Sequence, residues 1–241
     1  MTSAVATDKL ETAEERLERL LDETAGFDAI SLLDRMIHQE FPGKIALVSS
    51  FGAESAVLLA LLAEVDRSVP VVFLDTHKLF GETLRYRDQL QSLLGLTNIV
   101  TVEPDPLEVE AEDSKGILWT RDVDACCALR KVRPLARAME GYDAWITGRK
   151  RFQASTRSTV PLIEKSGTKF KINPLADWSP EVIAEFVATR NLPPHPLVAD
   201  GYLSIGCMPC TRPVKPGEDA RAGRWAGLEK TECGIHVGNS I

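Results

Sequence analysis

Four short apolar runs constrain the fold of this 241-residue chain more than any other feature. The runs lie at residues 44–50, 69–75, 98–102 and 144–147. Helical patterns follow the first two runs, from Glu54 to Glu64 and from Glu82 to Leu94. Strands and helices that alternate at this spacing are typical of a mostly parallel sheet covered by helices. We therefore predict an α/β fold built on a mostly parallel, twisted sheet with flanking helices.

The two ends of the chain differ from this central region. Apolar stripes over residues 8–40 predict two helices, and Ser179-Pro180-Glu181 is a strong helix start for a further helix that ends near Arg190. Residues 192–241 show little periodicity, which predicts an irregular and partly mobile segment. We expect one domain overall with three parts: N-terminal helices packed on the core (1–40), the α/β region (41–195) and a C-terminal segment (196–241).

Composition excludes several functional classes. The formal net charge is -7 and no block of lysine or arginine forms a stripe, which argues against nucleic acid as a partner. No apolar run approaches the length of a membrane span. Residues 1–25 are polar and acidic without the hydrophobic core of a secretion signal, so we expect a cytoplasmic protein with reduced thiols.

The five cysteines divide into two close pairs and one remaining thiol. Cys126 and Cys127 are adjacent, and Cys207 and Cys210 frame a Met-Pro turn. Four such thiols can hold a metal centre. Structural zinc sites usually separate paired ligands by two to four residues, whereas adjacent ligands fit an iron–sulfur cluster somewhat better. Both metals remain open on spacing alone.

Cys233 is left outside this set. It lies in Glu232-Cys233-Gly234-Ile235-His236, and Arg221 and Arg224 precede it. Nearby cations favour the thiolate, which is the nucleophilic form of cysteine. A bystander thiol near the chain terminus is the alternative.

Two predicted strands end in segments that suit a nucleotide. The first leads into Ser49-Ser50-Phe51-Gly52-Ala53-Glu54, a turn of small residues before a helix, where free N–H groups favour an anion. It lacks the Lys-Ser/Thr ending of a Walker loop, and simple packing would explain it equally. The second strand ends at Leu74-Asp75-Thr76, where Asp75 could bind a ribose or base or merely cap a turn.

The fourth strand runs into a cluster of cations. Gly148 is followed by Arg149, Lys150 and Arg151, and Arg157 lies shortly after. Such a cluster in an acidic chain indicates a phosphate or sulfate site, although a solvated loop is possible. Lys131 shares a helix face with Cys127, where it would offset the charge of a thiolate-bound cluster.

Taken together, these segments resemble the assimilatory adenylyl-sulfate (APS) and phosphoadenylyl-sulfate (PAPS) reductases. The matching segments span residues 44–236: the loop at 49–54, Leu74-Asp75-Thr76, Gly148 to Arg151 with Arg157, and the Glu232–His236 motif. The two cysteine pairs match the branch that carries a [4Fe-4S] cluster, typically bacterial and APS-specific. His77 is a departure, because many relatives have glycine there.

The resemblance implies a fold similar to the adenine nucleotide α-hydrolases, with residues 41–195 as the nucleotide-binding region. The loop at Ser49–Ser55 and Leu74–Thr76 would hold the adenosine and the phosphosulfate. Arginines would neutralise the phosphate and sulfate oxygens, and Lys131 would lie between cluster and substrate. These arginines are Arg149, Arg151, Arg157, Arg221 and Arg224. His236 would act as a base or orient the catalytic tail.

The family's chemistry implies that Cys233 attacks the sulfate sulfur, expels AMP and becomes an S-sulfocysteine, from which thioredoxin releases sulfite. The cluster on Cys126, Cys127, Cys207 and Cys210 would have an electrostatic and structural role, since thioredoxin supplies both electrons. A homo-oligomer is the expected assembly. PAPS as substrate and ATP-pyrophosphatase-like thiolation are the rival activities, and Phe51 and Glu54 break the Ser-Gly-Gly-x-Asp-Ser loop that the latter requires. A zinc-stapled nucleotide-binding module is the non-enzymatic rival.

Overall fold

A single twisted sheet organises the computed structural model, which describes residues 11–226, 230 and 232–236. The strands found among these residues are β1 (Ile45–Ser49), β2 (Val71–Leu74), β3 (Ile99–Val102), β4 (Ala144–Ile146), β5 (Ile163–Ser166) and β6 (Lys169–Ile172). Their order is β3-β2-β1-β4-β6-β5, and only the β5–β6 pair is antiparallel. The chain passes from β1 to β2 on one side and later places β4 on the other side of β1. The strand order therefore reverses at β1, which opens a crevice at the carboxyl ends of these strands.

Helices cover both faces of the sheet. The described α-helices are α1 (Ala13–Glu23), α2 (Ala29–Asp34), α3 (Ser55–Val65), α4 (Gly81–Leu94), α5 (Pro106–Asp113), α6 (Val123–Cys127), α7 (Arg133–Ala138) and α8 (Pro180–Thr189). Wider π-helical turns extend α2 over Arg35–Glu40 and join α6 to α7 over Ala128–Val132. In the described ranges, no helix combines the length and apolar character that crossing a membrane requires.

The alternation of side chains along the strands produces two cores. Val71 and Phe73 of β2 pack into the larger core, which lies under α2, α3, α4 and α8. Val72 packs on the opposite face with Trp145 of β4 and Leu135 of α7. A strand buried on both faces is apolar at every position, which explains why the sequence showed continuous apolar runs.

The predicted mostly parallel sheet, the four strands and the helices around them are confirmed. Ser179 caps α8 by accepting a hydrogen bond from the Val182 N–H at 3.4 Å, and Pro180 is the first helical residue, as predicted. Predicted residues 8–10 of the first helix lie outside the described residues. Between α6 and α7 the helix widens into the π-helical turn Ala128–Val132, and Pro134 lies in the first turn of α7, where it needs no N–H donor.

Three elements were not predicted. The β5–β6 hairpin adds two four-residue strands, and α5 adds an acidic helix after β3. The hairpin strands carry Glu164, Lys165, Lys169 and Lys171, so they lack an apolar run. Helix α5 is capped by Asp105 and begins with a proline, but it buries little apolar surface. Each was therefore invisible to a search for apolar periodicity.

The described part of the C-terminal segment is irregular, as predicted, and is fastened to the loop after β2 through backbone contacts. Its short 3₁₀ turns are Pro196–Val198, Met208–Cys210 and Gly234–His236. Leu79 and Cys207 form an antiparallel bridge, and the Met208 N–H donates to the Lys78 carbonyl at 2.8 Å. These contacts bring the segment beside the carboxyl end of β2.

Candidate active site

A cavity of about 220 Å³ lies at the carboxyl ends of β1, β2 and β4. It is the crevice that the strand order opens, so its position follows from the topology. Fourteen of the residues singled out from the sequence line it. They are Ser49, Ser50, Gly52, Ala53, Glu54, Leu74, Thr76, Lys131, Gly148, Arg149, Arg157, Arg221, Arg224 and Cys233. The binding roles expected of them remain predictions.

The loop after β1 is shaped by Phe51, which does not line the cavity. Its side chain is fully buried and packs edge-to-face on Phe73, with 5.3 Å between ring centroids. The backbone takes a positive φ of 47°, and the Ser49 hydroxyl accepts the Phe51 N–H at 3.1 Å. Phe51 therefore anchors the turn in the core, its neighbours Ser50 and Gly52 face the cavity, and the binding role expected of Phe51 remains a prediction.

Glu54 joins the loop after β1 to the loop after β4. Its carboxylate accepts hydrogen bonds from Lys150 Nζ at 2.8 Å and from Gln153 Nε2 at 2.7 Å. Burial lowers the pKa of Lys150, and the Glu54 charge partly offsets that effect. Sequence reasoning noted Lys150 only within the basic run and did not select Gln153. The signal it lacked was the pairing of Glu54 with a lysine 96 positions away.

Arg157 and Arg221 meet the carboxylate that precedes Cys233. Arg157 donates two hydrogen bonds to Glu232, from Nε at 2.6 Å and from Nη2 at 2.9 Å, and Arg221 Nη2 lies 3.7 Å from the same group. Burial opposes ionisation of Glu232, but Arg157 outweighs it, so the pKa of Glu232 is lowered. This contact holds the Cys233 thiol at the cavity wall.

Arg149 lines the cavity, and its guanidinium bonds to Asn173, which follows β6, and to Glu164 of β5. Its guanidinium donates to Asn173 Oδ1 at 3.3 and 3.2 Å and pairs with Glu164. Burial, with the nearby Arg157 charge, lowers the pKa of Arg149 to about 10.

Arg151 does not line the cavity, and the substrate contact expected of it remains a prediction. It donates to the Val160 carbonyl at 2.8 Å and pairs with the exposed Asp177, so it points away from the cavity.

The loop after β2 divides between the cavity and a turn. Leu74 and Thr76 line the cavity, whereas Asp75 accepts the His77 N–H at 2.9 Å and does not. Asp75 therefore shapes the turn, which was the alternative considered from the sequence. His77 has a positive φ of 55°, a backbone region that favours glycine. His77, which stands where many relatives have glycine, therefore occupies a position at which glycine would be unstrained.

The four paired cysteines line a second, small cavity of about 10 Å³ next to the first. Cys126 and Cys127 end α6, where the helix widens, and Cys207 and Cys210 flank a 3₁₀ turn. The Thr76 hydroxyl lies 3.2 Å from Cys207 Sγ. Lys131 and Trp225 line both cavities, so they form the wall between them.

Burial and cations set the ionisation of these thiols. Burial raises the pKa of Cys127 to about 11 and also raises those of Cys126 and Cys210. Burial opposes ionisation of Cys207 too, but Lys131, the Thr76 hydroxyl and Arg224 outweigh it and lower its pKa. Cys207 is thus the one member of the set in which nearby donors already favour the thiolate.

The four cysteines around the second cavity form an all-sulfur donor set. Within the described ranges, no three His, Cys, Asp or Glu side chains are grouped so that they could hold one metal ion. Cysteine thiols are the donor type of both structural zinc sites and iron–sulfur clusters.

A buried ion pair that was not predicted from the sequence supports the wall between the two cavities. Arg130, 4% exposed, donates to Asp113 Oδ2 from Nη2 at 2.8 Å and from Nε at 3.2 Å. Its Nη1 also donates to the Thr76 carbonyl at 3.1 Å. The pair therefore ties α5 and the cysteine helix to the end of β2. Only its position beside Cys126 and Cys127 in the sequence could have suggested Arg130.

Cys233 reaches the cavity because the residues after it pack on the sheet. Ile235 contacts the core cluster around Trp145, and the turn Gly234–His236 lies against the π-helical turn Ala128–Val132. Arg224 lies over the Trp225 ring, 4.5 Å from its centroid, and donates to the Ile205 carbonyl at 3.3 Å. Gly206 leaves room for it, because a Cβ there would overlap the guanidinium. The side chain of His236 and residues 237–241 lie outside the described residues.

The arrangement combines a half-buried thiol, several guanidinium groups and a polar loop at a strand end. It can bind an anionic nucleotide and present a nucleophile to it. A comparison with known families agrees: the model of the phosphoadenosine phosphosulfate reductase domain matches residues 44–213. The chain belongs to this reductase family. The resemblance predicted from its motifs is confirmed.

Relatives in the family extend over most of the chain. A Chelativorans protein named adenosine 5′-phosphosulfate reductase is 58% identical over 195 residues, which cover 81% of this chain and 80% of the relative. A Mesorhizobium japonicum protein of the same name is 53% identical over 220 residues, with coverage of 88% and 87%. The crystal structure of a Candida auris PAPS reductase, a phosphate complex, is 26% identical with a TM-score of 0.71 and covers 85% of this chain and 100% of that one.

Proposed function

We propose that this protein reduces adenosine 5′-phosphosulfate (APS) to sulfite and AMP in sulfate assimilation, with thioredoxin as the reductant. The observation that carries the proposal is the position of Cys233, a thiol on the wall of a cavity that is also lined by Arg149, Arg157, Arg221 and Arg224. The names of the relatives that are 58% and 53% identical support APS as the nucleotide.

The substrate is proposed to lie along the carboxyl ends of β1, β2 and β4. Ser49, Ser50, Gly52 and Ala53 offer hydroxyl and backbone groups at the N-terminal side of α3, where a phosphate is favoured. Arg157 and Arg221 already hold a carboxylate, so their geometry suits an oxyanion such as the sulfate group.

Two steps complete the proposed reaction. The Cys233 thiolate attacks the sulfate sulfur; an S–S bond forms, the S–O bond to the phosphate breaks, and AMP leaves. A thioredoxin thiolate then attacks Cys233 Sγ and releases sulfite, and the second thioredoxin thiol resolves the mixed disulfide. The dithiol supplies both electrons and becomes a disulfide, and Cys233 returns as a thiol.

Cys126, Cys127, Cys207 and Cys210 are proposed to hold a [4Fe-4S] cluster. When bound, the cluster would supply negative charge and a rigid anchor for the wall between the cavities. Lys131 would lie between it and the substrate. Burial opposes protonation of Lys131, but nearby thiolate charge, above all that of Cys207, outweighs burial, so the pKa of Lys131 is raised and the ammonium is retained.

The remaining expectations belong to the same proposal. Residues 1–40 act as packed N-terminal helices, 41–195 as the nucleotide-binding region, and 196–241 as the cluster-ligand segment with the catalytic tail. His236 acts on the reaction as a base or orients this tail, and the binding roles expected of Phe51, Asp75 and Arg151 remain predictions although these residues do not line the cavity. A cytoplasmic homo-oligomer completes the proposal.

Mass spectrometry after mixing the protein with APS in the absence of reductant tests the central step. The expected result is a sulfonate adduct on the Cys233 peptide that disappears when thioredoxin is added. Cys233→Ser should form neither adduct nor sulfite, and it should retain iron and acid-labile sulfide. Full sulfite formation by Cys233→Ser would overturn the assignment of the nucleophile.

The cluster has its own measurement. Anaerobically purified protein should contain iron and acid-labile sulfide in near-equal amounts, with about four of each per chain. A colourless protein with one equivalent of zinc and no sulfide would refute the cluster and favour a structural zinc site.

PAPS is the second candidate substrate, because the solved Candida auris relative is a PAPS reductase. Steady-state kinetics on both nucleotides separates the two. We expect the higher kcat/KM for APS, and a higher value for PAPS would reverse the assignment.

A further inference from the structure

Thr83 and His195 form a buried hydrogen bond at the edge of the nucleotide cavity, outside the proposed chemistry. Thr83 lies in the first turn of α4, is 1% exposed and lines the cavity. His195 is fully buried and directly precedes the 3₁₀ turn Pro196–Val198. Thr83 Oγ1 and His195 Nε2 are 3.1 Å apart. Two polar groups so deeply buried need defined donors and acceptors.

The hydrogen bonds of His195 determine which ring nitrogen carries the proton. The Leu197 N–H donates to Nδ1 at 3.2 Å, and an N–H can only donate, so Nδ1 has no proton. Burial lowers the pKa of His195 to about 4, which keeps the ring neutral near pH 7. A neutral imidazole without a proton on Nδ1 carries it on Nε2. Nε2–H therefore donates to Thr83 Oγ1.

The Thr83 hydroxyl proton is then directed elsewhere. A hydroxyl donates one hydrogen bond and accepts up to two, and here His195 uses an accepting position. Across the described residues, the Thr83 hydroxyl has no hydrogen-bond partner other than His195. Its proton needs an acceptor, because a buried donor without a hydrogen-bond partner destabilises the protein. Since Thr83 lines the cavity, a bound ligand can supply that acceptor.

The topology indicates which part of a nucleotide reaches Thr83. The β2 side of the cavity carries Leu74, Leu79 and Thr83, and the β4 side, across β1, carries Arg149 and Arg157. An apolar wall suits a flat base, whereas the arginines suit phosphate and sulfate. The base should therefore lie on the β2 side.

We propose that Thr83 is a specificity residue that donates a hydrogen bond to a ring nitrogen of the adenine base, and that His195 is the positioning residue that fixes the direction of this donation. The proposal rests on the proposed function, because it assumes that the cavity binds an adenine nucleotide. It adds base recognition through a histidine that does not touch the ligand.

Titration calorimetry of the full-length protein with AMP tests the role of Thr83. Thr83→Val should lower AMP affinity roughly threefold to tenfold, the range of one neutral hydrogen bond, and Thr83→Ser should retain most of it. Among 1-deaza-, 3-deaza- and 7-deaza-AMP, one analogue should bind the wild type more weakly by the same factor. That analogue should show no further loss with Thr83→Val. The proposal would be overturned if Thr83→Val left AMP affinity unchanged. It would also be overturned if, for all three analogues, the affinity loss from Thr83→Val added to the loss from the missing ring nitrogen.

Two substitutions of His195 separate positioning from structural support. His195→Gln places an amide donor where Nε2 lies, so it should preserve discrimination against the sensitive analogue. His195→Asn retains an acceptor for the Leu197 N–H but does not reach Thr83, so discrimination should be lost. Equal discrimination by both variants would refute the positioning role. His38→Gln, at an exposed histidine, is the control.

Sulfite formation from APS by the wild type distinguishes failure of this proposal from failure of the proposed function. An active wild type whose Thr83 and His195 variants bind all analogues normally would refute only the base contact. A wild type that neither binds AMP nor forms sulfite would refute the proposed function, and the base contact with it. Where Thr83→Val does not fold, Thr83→Ser and the His195 pair still decide the outcome.

Discussion

Replacing Glu232 with glutamine removes the carboxylate that ties the segment around Cys233 to the cavity wall. In the wild type, Arg157 makes two hydrogen bonds to this carboxylate, at 2.6 and 2.9 Å, and Arg221 lies 3.7 Å away. The Arg157 and Glu232 side chains are only 10% and 13% exposed, so water screens the pair little. Hydrogen bonds to charged groups contribute about 1.5–3 kcal/mol each, and glutamine keeps one acceptor. We expect the position of the Cys233 segment at the cavity wall, its closed position, to lose about 2–3 kcal/mol of stabilisation relative to a detached, open position.

That loss converts into a measurable opening of the segment. At 1.4 kcal/mol per factor of ten, the open population should rise by roughly 30- to 150-fold as an upper bound. Alkylation of Cys233 by iodoacetamide, followed on its peptide by mass spectrometry, reports the open form. Glu218→Gln is the matched control, because Glu218 pairs with Arg212 at 3.1 Å in the same part of the chain and is not among the residues that line the cavity.

The pKa of Glu232 sets the pH range of this experiment. Its folded pKa lies below its usual value, so the contact is complete above that usual value and is lost as the pH falls through the lowered one. The difference between wild type and variant should therefore be constant from pH 6 to pH 8. Equal alkylation rates for wild type and Glu232→Gln in this range would refute the view that the carboxylate holds Cys233 in place.

Three further predictions concern stability, measured by urea unfolding. Burial lowers the pKa of His195 from 6.5 to about 4, so between these pH values the unfolded chain binds a proton that the folded chain lacks. The free energy of unfolding should therefore fall by up to about 3 kcal/mol as the pH drops from 6.5 to 4. His195→Gln should lack this pH-dependent component. Asp113→Asn leaves Arg130 buried without its anion and should cost about 3–5 kcal/mol, whereas the exposed control Glu112→Gln should cost less than about 1 kcal/mol. His77→Ala should be about 1 kcal/mol less stable than His77→Gly, because φ is positive there, and equal stabilities would contradict the strain.

Local patterns in the sequence were sufficient for the central architecture. Strands β1 and β2 are buried on both faces and therefore read as continuous apolar runs. Their carboxyl ends meet wherever a parallel sheet forms, so the loop at Ser49 and the residues at Leu74 could be placed together without coordinates. The same argument fails for the β5–β6 hairpin, whose strands are short and charged.

Side-chain direction at the cavity was less predictable. Phe51 and Arg151 belong to the right loops, but one is buried against Phe73 and the other is drawn outward by Asp177 and the Val160 carbonyl. Residue type at a strand end specifies which chemistry is available, and packing several ångströms away decides which way each group points.

Partners distant in sequence were invisible for the same reason. Glu54 meets Lys150 across 96 positions, and Arg157 meets Glu232 across 75. A pattern search sees each of these residues in its own local context. Only the strand order brings the loop after β1 next to the loop after β4, and only the packing of Ile235 on the sheet carries Glu232 to Arg157.

The shared wall between the two cavities has a physical consequence for both. Lys131 lines each of them, and nearby thiolate charge, above all that of Cys207, raises the pKa of Lys131 against the burial that lowers it. Charges interact more strongly in this buried environment than in water. Charge on the paired cysteines and the charge of an anion in the larger cavity therefore act on the same ammonium group. This common cation links the cysteine pairs to the larger cavity.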